Sequence, residues 1–197
     1  MAIDNALIVK LRKLTNAGIM DCKKALIETG GDIEKAQKYL REKGILKMLE
    51  RKDRKTDEGQ IFAYIHPGGK LGVMVEIACE TDFVARSEDF HKLIKETALQ
   101  CAGMKPLYIN VEDVPEDVIN EEKETLKKEI DVSKKPPEIV ERILEGKLKK
   151  FYEQTVLMEQ PYFRDDKMKF KDFFNSLAST FGEAIKITRF VRYEIGQ

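Results

Sequence analysis

The chain has 197 residues, 42% of them hydrophobic, which allows one domain of moderate size and a small second one. Its apolar runs are broken by charge within a few residues, so we expect no membrane span, no secretory leader and a cytoplasmic location. The 35 Lys and Arg balance 35 Asp and Glu, yet residues 1 to 55 hold 14 basic against 8 acidic side chains; Tyr39 is their only aromatic, which argues against nucleic acid and for an acidic protein partner.

In chain order, Asp4 or Asn5 can cap a first helix whose Leu7, Ile8, Leu11 and Leu14 form an apolar stripe. It ends near Thr15 to Gly18, and Ile19 to Thr29 reads as a second helix. Gly30 and Gly31 supply a stop, Asp32 caps afresh, and Ile33, Ala36, Tyr39 and Leu40 give the inner face of a third helix expected to end at Gly44. From Glu50 the run Glu-Arg-Lys-Asp-Arg-Lys-Thr-Asp-Glu58 has nothing apolar to bury and reads as a solvated linker. The expected division is therefore a small helical domain with its linker at 1–55 and a second domain at 56–197.

Gln60 to Ile65 and Lys70 to Cys79 read as a hairpin turning through His66-Pro-Gly-Gly69. After a corner at Glu80 to Phe90, a helix capped by Ser87 reaches about Gly103 and Lys105 to Asn110 is extended. Pro115 opens a helix to about Ile130, and Pro136 another that carries a helical projection around 136–160. A last amphipathic helix at Lys169 to Phe181, closed by Gly182, leads to a strand from Ala184 to Ile195 that can complete a three-stranded antiparallel sheet. The class is α+β, because no βαβ alternation is present.

The corner is the most informative stretch. Asp82 and Phe83 set a carboxylate beside a large apolar ring where a loop is ordinarily polar, so the pair either anchors the corner in a core or projects into a partner. Thr-Asp-Phe-Val-Ala-Arg at 81–86 and Leu11-Arg-Lys-Leu-Thr-Asn-Ala-Gly-Ile-Met-Asp-Cys-Lys-Lys-Ala-Leu26 followed by Gly31-Asp-Ile-Glu-Lys-Ala36 are similar to two signatures of the elongation factor Ts family. Lys105-Pro-Leu-Tyr, Pro136-Pro-Glu-Ile and Arg189 to Gly196 extend the resemblance over nearly the whole chain.

The resemblance implies a ubiquitin-associated-like three-helix module followed by an α+β core. It also implies a guanine-nucleotide exchange factor in protein biosynthesis, promoting GDP release from elongation factor Tu. The residues it marks as partner contacts are Thr81, Asp82, Phe83 and Val84 at the corner and Arg12, Ile19 and Met20 near the first helical turn; from sequence, Ile19 and Met20 fit the module's core equally well. Asn16 stands where the family commonly has glycine. Longer relatives carry two core subdomains where this chain has one, implying a homodimer. The expected interface is a sheet face made by Phe62, Tyr64, Met74 and Phe190, opposite Ile61, Ile65, Val73 and Val75. The runner-up reading is an adaptor that binds peptides through its helical module without exchange activity.

Enzyme chemistry finds no footing in the motifs. Cys22, Cys79 and Cys101 are odd in number and outside any Cys-x-x-Cys pair, against a disulfide framework or zinc site. The histidines, His66 in a turn and His91 in a helix, lie beside none of the cysteines in sequence. Gly69-Lys70 lacks the rest of a phosphate-binding loop, so no direct nucleotide binding, cofactor or metal is expected. Asp165 and Asp166 read as turn or helix-end residues.

Overall fold

The structure, a computed structural model, describes residues 4–15, 17–51, 53–129 and 136–196. Helices α1 (Asn5–Thr15), α2 (Ile19–Glu28) and α3 (Ile33–Glu50) precede strands β1 (Glu58–Ile65) and β2 (Leu71–Cys79). The single turn α4 (Asp82–Ala85) leads into α5 (Glu88–Met104), α6 (Glu116–Glu129) and α7 (Pro137–Thr155). Strands β3 (Pro161–Tyr162) and β4 (Asp165–Lys169), helix α8 (Phe170–Phe181) and strand β5 (Lys186–Glu194) close the chain. The architecture is mixed α and β, with a three-stranded antiparallel sheet in the order β1-β2-β5 and a two-stranded β3-β4 hairpin.

Two compact units emerge. The first joins Met1–Gln60 to Ile77–Leu93 and Phe174–Thr188; the second joins Ile61–Glu76, Ile94–Phe173 and Arg189–Gln197. In the first, α1 to α3 close on Ile8, Leu11, Cys22, Ala25, Leu26 and Ala36. These helices are short enough to need that packing. Their ends are marked as the sequence requires: Asp4 Oδ1 accepts from Ala6 N, Asp32 Oδ1 from Lys35 N, and Leu26 O takes the Gly31 amide at the end of α2.

Helix α3 does not stop at Gly44 but runs on to Glu50. This glycine serves close approach: a Cβ built on it would lie 2.8 Å from the Ser179 Cβ on α8. The linker is also more tied down than its composition implies. Arg54 Nη1 lies 3.3 Å from Glu80 Oε2, and its carbonyl accepts from Lys186 Nζ.

In the second unit, buried amides hold β3-β4: Gln100 Nε2 donates to Pro161 O and Gln100 Oε1 accepts from Phe163 N, while Gln160 Nε2 donates to Met104 O and Gln154 O. Tyr162 stacks on Phe173 at 4.4 Å, and its hydroxyl donates to Glu96, which also receives both arms of Arg164. Burial, reinforced by Glu96, pushes the Tyr162 hydroxyl up to about 12. This hairpin corrects the reading of Asp165 and Asp166, which begin β4. Two-residue strands carry too little alternation to be seen in sequence.

The sheet faces also need correction. Val73 and Val75 are buried, but Ile61 and Ile65, expected beside them, are 60% and 64% exposed. Met74 is exposed with these isoleucines, whereas Phe62, Tyr64 and Phe190, expected beside Met74, are half-buried. The His66 amide donates to Leu71 O, and a Cβ on Gly72 would meet Ile65 Cδ1 at 3.0 Å, so Ile65 lies across from residue 72. Residues directly across an antiparallel pair share a face, so this register sends even positions of β1 with odd positions of β2.

Candidate functional site

The corner is built by caps at both ends of a helix too short to hold itself. Thr81, in extended backbone at φ −130° and ψ 153°, precedes α4, and its Oγ1 accepts from Val84 N at 3.5 Å. Six residues later Ser87 takes over: its Oγ donates to Val84 O and accepts from Phe90 N, starting α5. Asp82 pairs with Arg86 at 3.3 Å. Ala85 points into the unit and is buried.

Phe83 points the other way. It is 84% exposed, more than any other large apolar side chain among the described residues. Seven residues on, Phe90 is fully buried and meets Phe181 edge to face at 6.0 Å. The two aromatic rings thus divide the roles that sequence left open: Phe90 holds the fold, and Phe83 contributes almost nothing to it. Asp82, Thr81 and Val84 are half-buried.

Below the corner lies a polar framework drawn from three distant segments. Glu183 Oε2 accepts from Thr81 N at 3.0 Å and Oε1 from Thr81 Oγ1 at 2.7 Å. In the reverse direction, Glu80 Oε1 accepts from Ala184 N at 2.7 Å. That bond, with the Arg54 guanidinium beside it, holds the Glu80 carboxyl below the ordinary glutamate range. Gly182 at φ +71° ends α8 and turns the chain toward these contacts, a conformation that suits glycine. Sequence reasoning gave Glu80 only as the start of the corner and Arg54 only as part of a solvated linker, and did not single out Glu183; an acid directly after a helix-stopping glycine was the available signal.

Cysteine chemistry is absent from this framework. Cys79 Sγ donates to Thr81 O at 3.1 Å, and burial, then the Glu183 carboxylate, push its thiol up to about 11. Burial pushes Cys101 up to about 12 and also raises Cys22. All three are free and buried, the opposite of an activated nucleophile. Among the described residues no group of three or more His, Cys, Asp or Glu could hold a metal, and no helix is long and apolar enough to cross a membrane.

The remaining partner-contact candidates, Arg12, Ile19 and Met20, lie in the same unit as the corner. Arg12 is exposed on α1; at the start of α2, Ile19 is exposed and Met20 is 74% exposed, so neither belongs to the module's core. Asn16 lies outside the described residues. His66 takes part in its own turn, with Nδ1 2.8 Å from the Tyr64 hydroxyl.

Comparison with known proteins matches residues 13–197 to the family described as Elongation factor TS. The chain belongs to the elongation factor Ts family. It is 52% identical to Elongation factor Ts of Coprothermobacter proteolyticus over 197 residues, all of both chains. The same identity holds with the protein of that name from Thermotoga petrophila, across the whole of this chain and 98% of the relative. With that of Moorella thermoacetica, identity is 47% over 95% of this chain and 92% of the relative.

Proposed function

We propose that the protein is a guanine-nucleotide exchange factor that promotes GDP release from elongation factor Tu, using the 81–84 corner as its exchange element. The observation that carries this reading is Phe83, an exposed aromatic on a corner tied down by side chains more than a hundred residues away. A solvated phenyl ring has little to gain in the free protein and much to gain in a complex.

The mechanism needs no covalent chemistry, so the protein is not itself an enzyme in the ordinary sense. A GTPase holds nucleotide through phosphate contacts and Mg²⁺, which also order its switch segments. An exchange factor that prefers the arrangement with Mg²⁺ displaced weakens nucleotide binding, and by linkage nucleotide weakens the factor's binding by the same factor. Incoming nucleotide then releases the factor. Phe83 serves as the wedge, with Asp82 beside it acting on the metal's surroundings. Thr81 and Val84 present the pair, and Arg12, Ile19 and Met20, on a ubiquitin-associated-like module, make a second contact that holds the wedge in place.

Assembly follows from the sheet. Ile61, Ile65, Met74 and Tyr193 are exposed apolar side chains on strands of one sheet, and we propose that they, rather than Phe62, Tyr64 and Phe190, form the centre of a homodimer contact. The test of function is direct: release of labelled GDP from the cognate elongation factor Tu, with and without this protein. Acceleration at catalytic ratios is the expected result. Unchanged release alongside tight binding would favour an adaptor without exchange activity.

A further inference from the structure

We infer that Glu183 is a positioning residue for the exchange element, fixing Thr81 and thereby the direction in which Phe83 leaves the corner. The inference rests on the exchange reading above.

Thr81 has two hydrogen-bond donors, its amide and its hydroxyl, and each is satisfied by a separate oxygen of the same carboxylate. Bonds of this charge-assisted kind are about twice as strong as neutral ones. The corner's own bonds are weaker ties. Helix α4 closes with Ala85 N to Thr81 O at 3.2 Å and Arg86 N to Asp82 O at 3.0 Å, and its side-chain cap to Val84 N is long at 3.5 Å. One helical turn does not persist by itself. The φ and ψ of Thr81 set the path of the next two residues, and the forked carboxylate is what restricts them.

The tie is doubled in the opposite sense. Glu80 reaches from the end of β2 to the Ala184 amide while Glu183 reaches back to Thr81, so two adjacent residues on each segment are laced to two on the other. Arg54 braces Glu80 from the linker. A backbone restrained in the free protein loses less entropy on binding, so the lacing favours insertion of the wedge over mere encounter.

The experiment compares catalysed release of labelled GDP by wild type, Phe83→Ala, Glu183→Ala and the double variant, at a temperature well below every melting point. Glu183→Ala should slow exchange roughly tenfold, the scale of a charge-assisted hydrogen bond. The double variant should lose less than the product of the two single losses, because Glu183 acts mainly through the placement of the ring. In wild type the Thr81 amide should resonate downfield and be protected from solvent exchange; both signatures should weaken in Glu183→Gln, whose amide oxygen still accepts one bond, and disappear in Glu183→Ala. Where Glu183→Ala does not fold, Glu183→Gln and Thr81→Val replace it and should slow exchange likewise. Full-rate exchange by a folded Glu183 variant, or losses that add undiminished in the double variant, would overturn the positioning role while leaving exchange intact. Wild type that fails to accelerate release would remove the exchange reading itself.

Discussion

Phe83→Ala separates a ring held for a partner from a ring held for the fold. At 84% exposure the side chain has little buried area to lose, so the free protein should change by no more than about 0.5 kcal/mol, the usual range for a surface substitution. In a chain of this size that is a melting shift of about 1 to 2 °C. Phe90→Ala is the internal contrast, because removal of a fully buried ring costs about 3 to 5 kcal/mol. In the complex the order reverses. Burying a Phe side chain contributes about 1.5 to 3 kcal/mol, so its deletion should slow catalysed GDP release by about one to two decades. The assay is fluorescent GDP release from elongation factor Tu, read beside a thermal melt of each variant. A Phe83→Ala protein that exchanges at the wild-type rate, or one that melts like Phe90→Ala, would refute the reasoning.

Charged substitutions at Met74 and Tyr193 should convert a dimer to a folded monomer in sedimentation at micromolar concentration; a dimer that survives both changes does not use this face. Glu80 has a folded-state pKa below its ordinary 4.5, so its contribution is present above that value and lost as pH falls through the lower one. Glu80→Gln should accordingly flatten the acid limb of a plot of melting temperature against pH, and an unchanged limb would count against the Ala184 and Arg54 contacts. The thiols run in the opposite sense: with Cys79 raised to about 11 and Cys101 to about 12, they favour the folded state most fully below the ordinary 9.0 and lose that contribution as pH rises through the folded values. Alkylation at mildly alkaline pH, followed by mass spectrometry, should label none of the three in the native protein and all three after denaturation.

The sequence by itself determined the features that depend on neighbours a few residues apart. Asp32 and Ser87 cap helices because their oxygens reach amides three residues on, and Pro136 and Pro137 open α7 because proline suits a helix start. The alternation at Val73, Val75 and Ile77 marks a strand with one covered face. Even the corner is legible, since Asp82 and Phe83 break the pattern on either side of them.

Tertiary structure decided what depends on the chain's return. Spacing identifies Gly44 as a residue that can end a helix, but only the approach of Ser179 makes it one that lets α3 pass. Parity within a strand is local, whereas the parity shared by β1 and β2 is set by where the turn closes, which puts Met74 on the face of Ile61 and Ile65 rather than that of Phe62 and Tyr64. Glu183 and Thr81 are 102 positions apart and carry no common periodicity. Local rules act through backbone geometry over a few residues. A carboxylate's choice of donor is made when distant segments meet, and it is this choice that holds the exposed Phe83 in place.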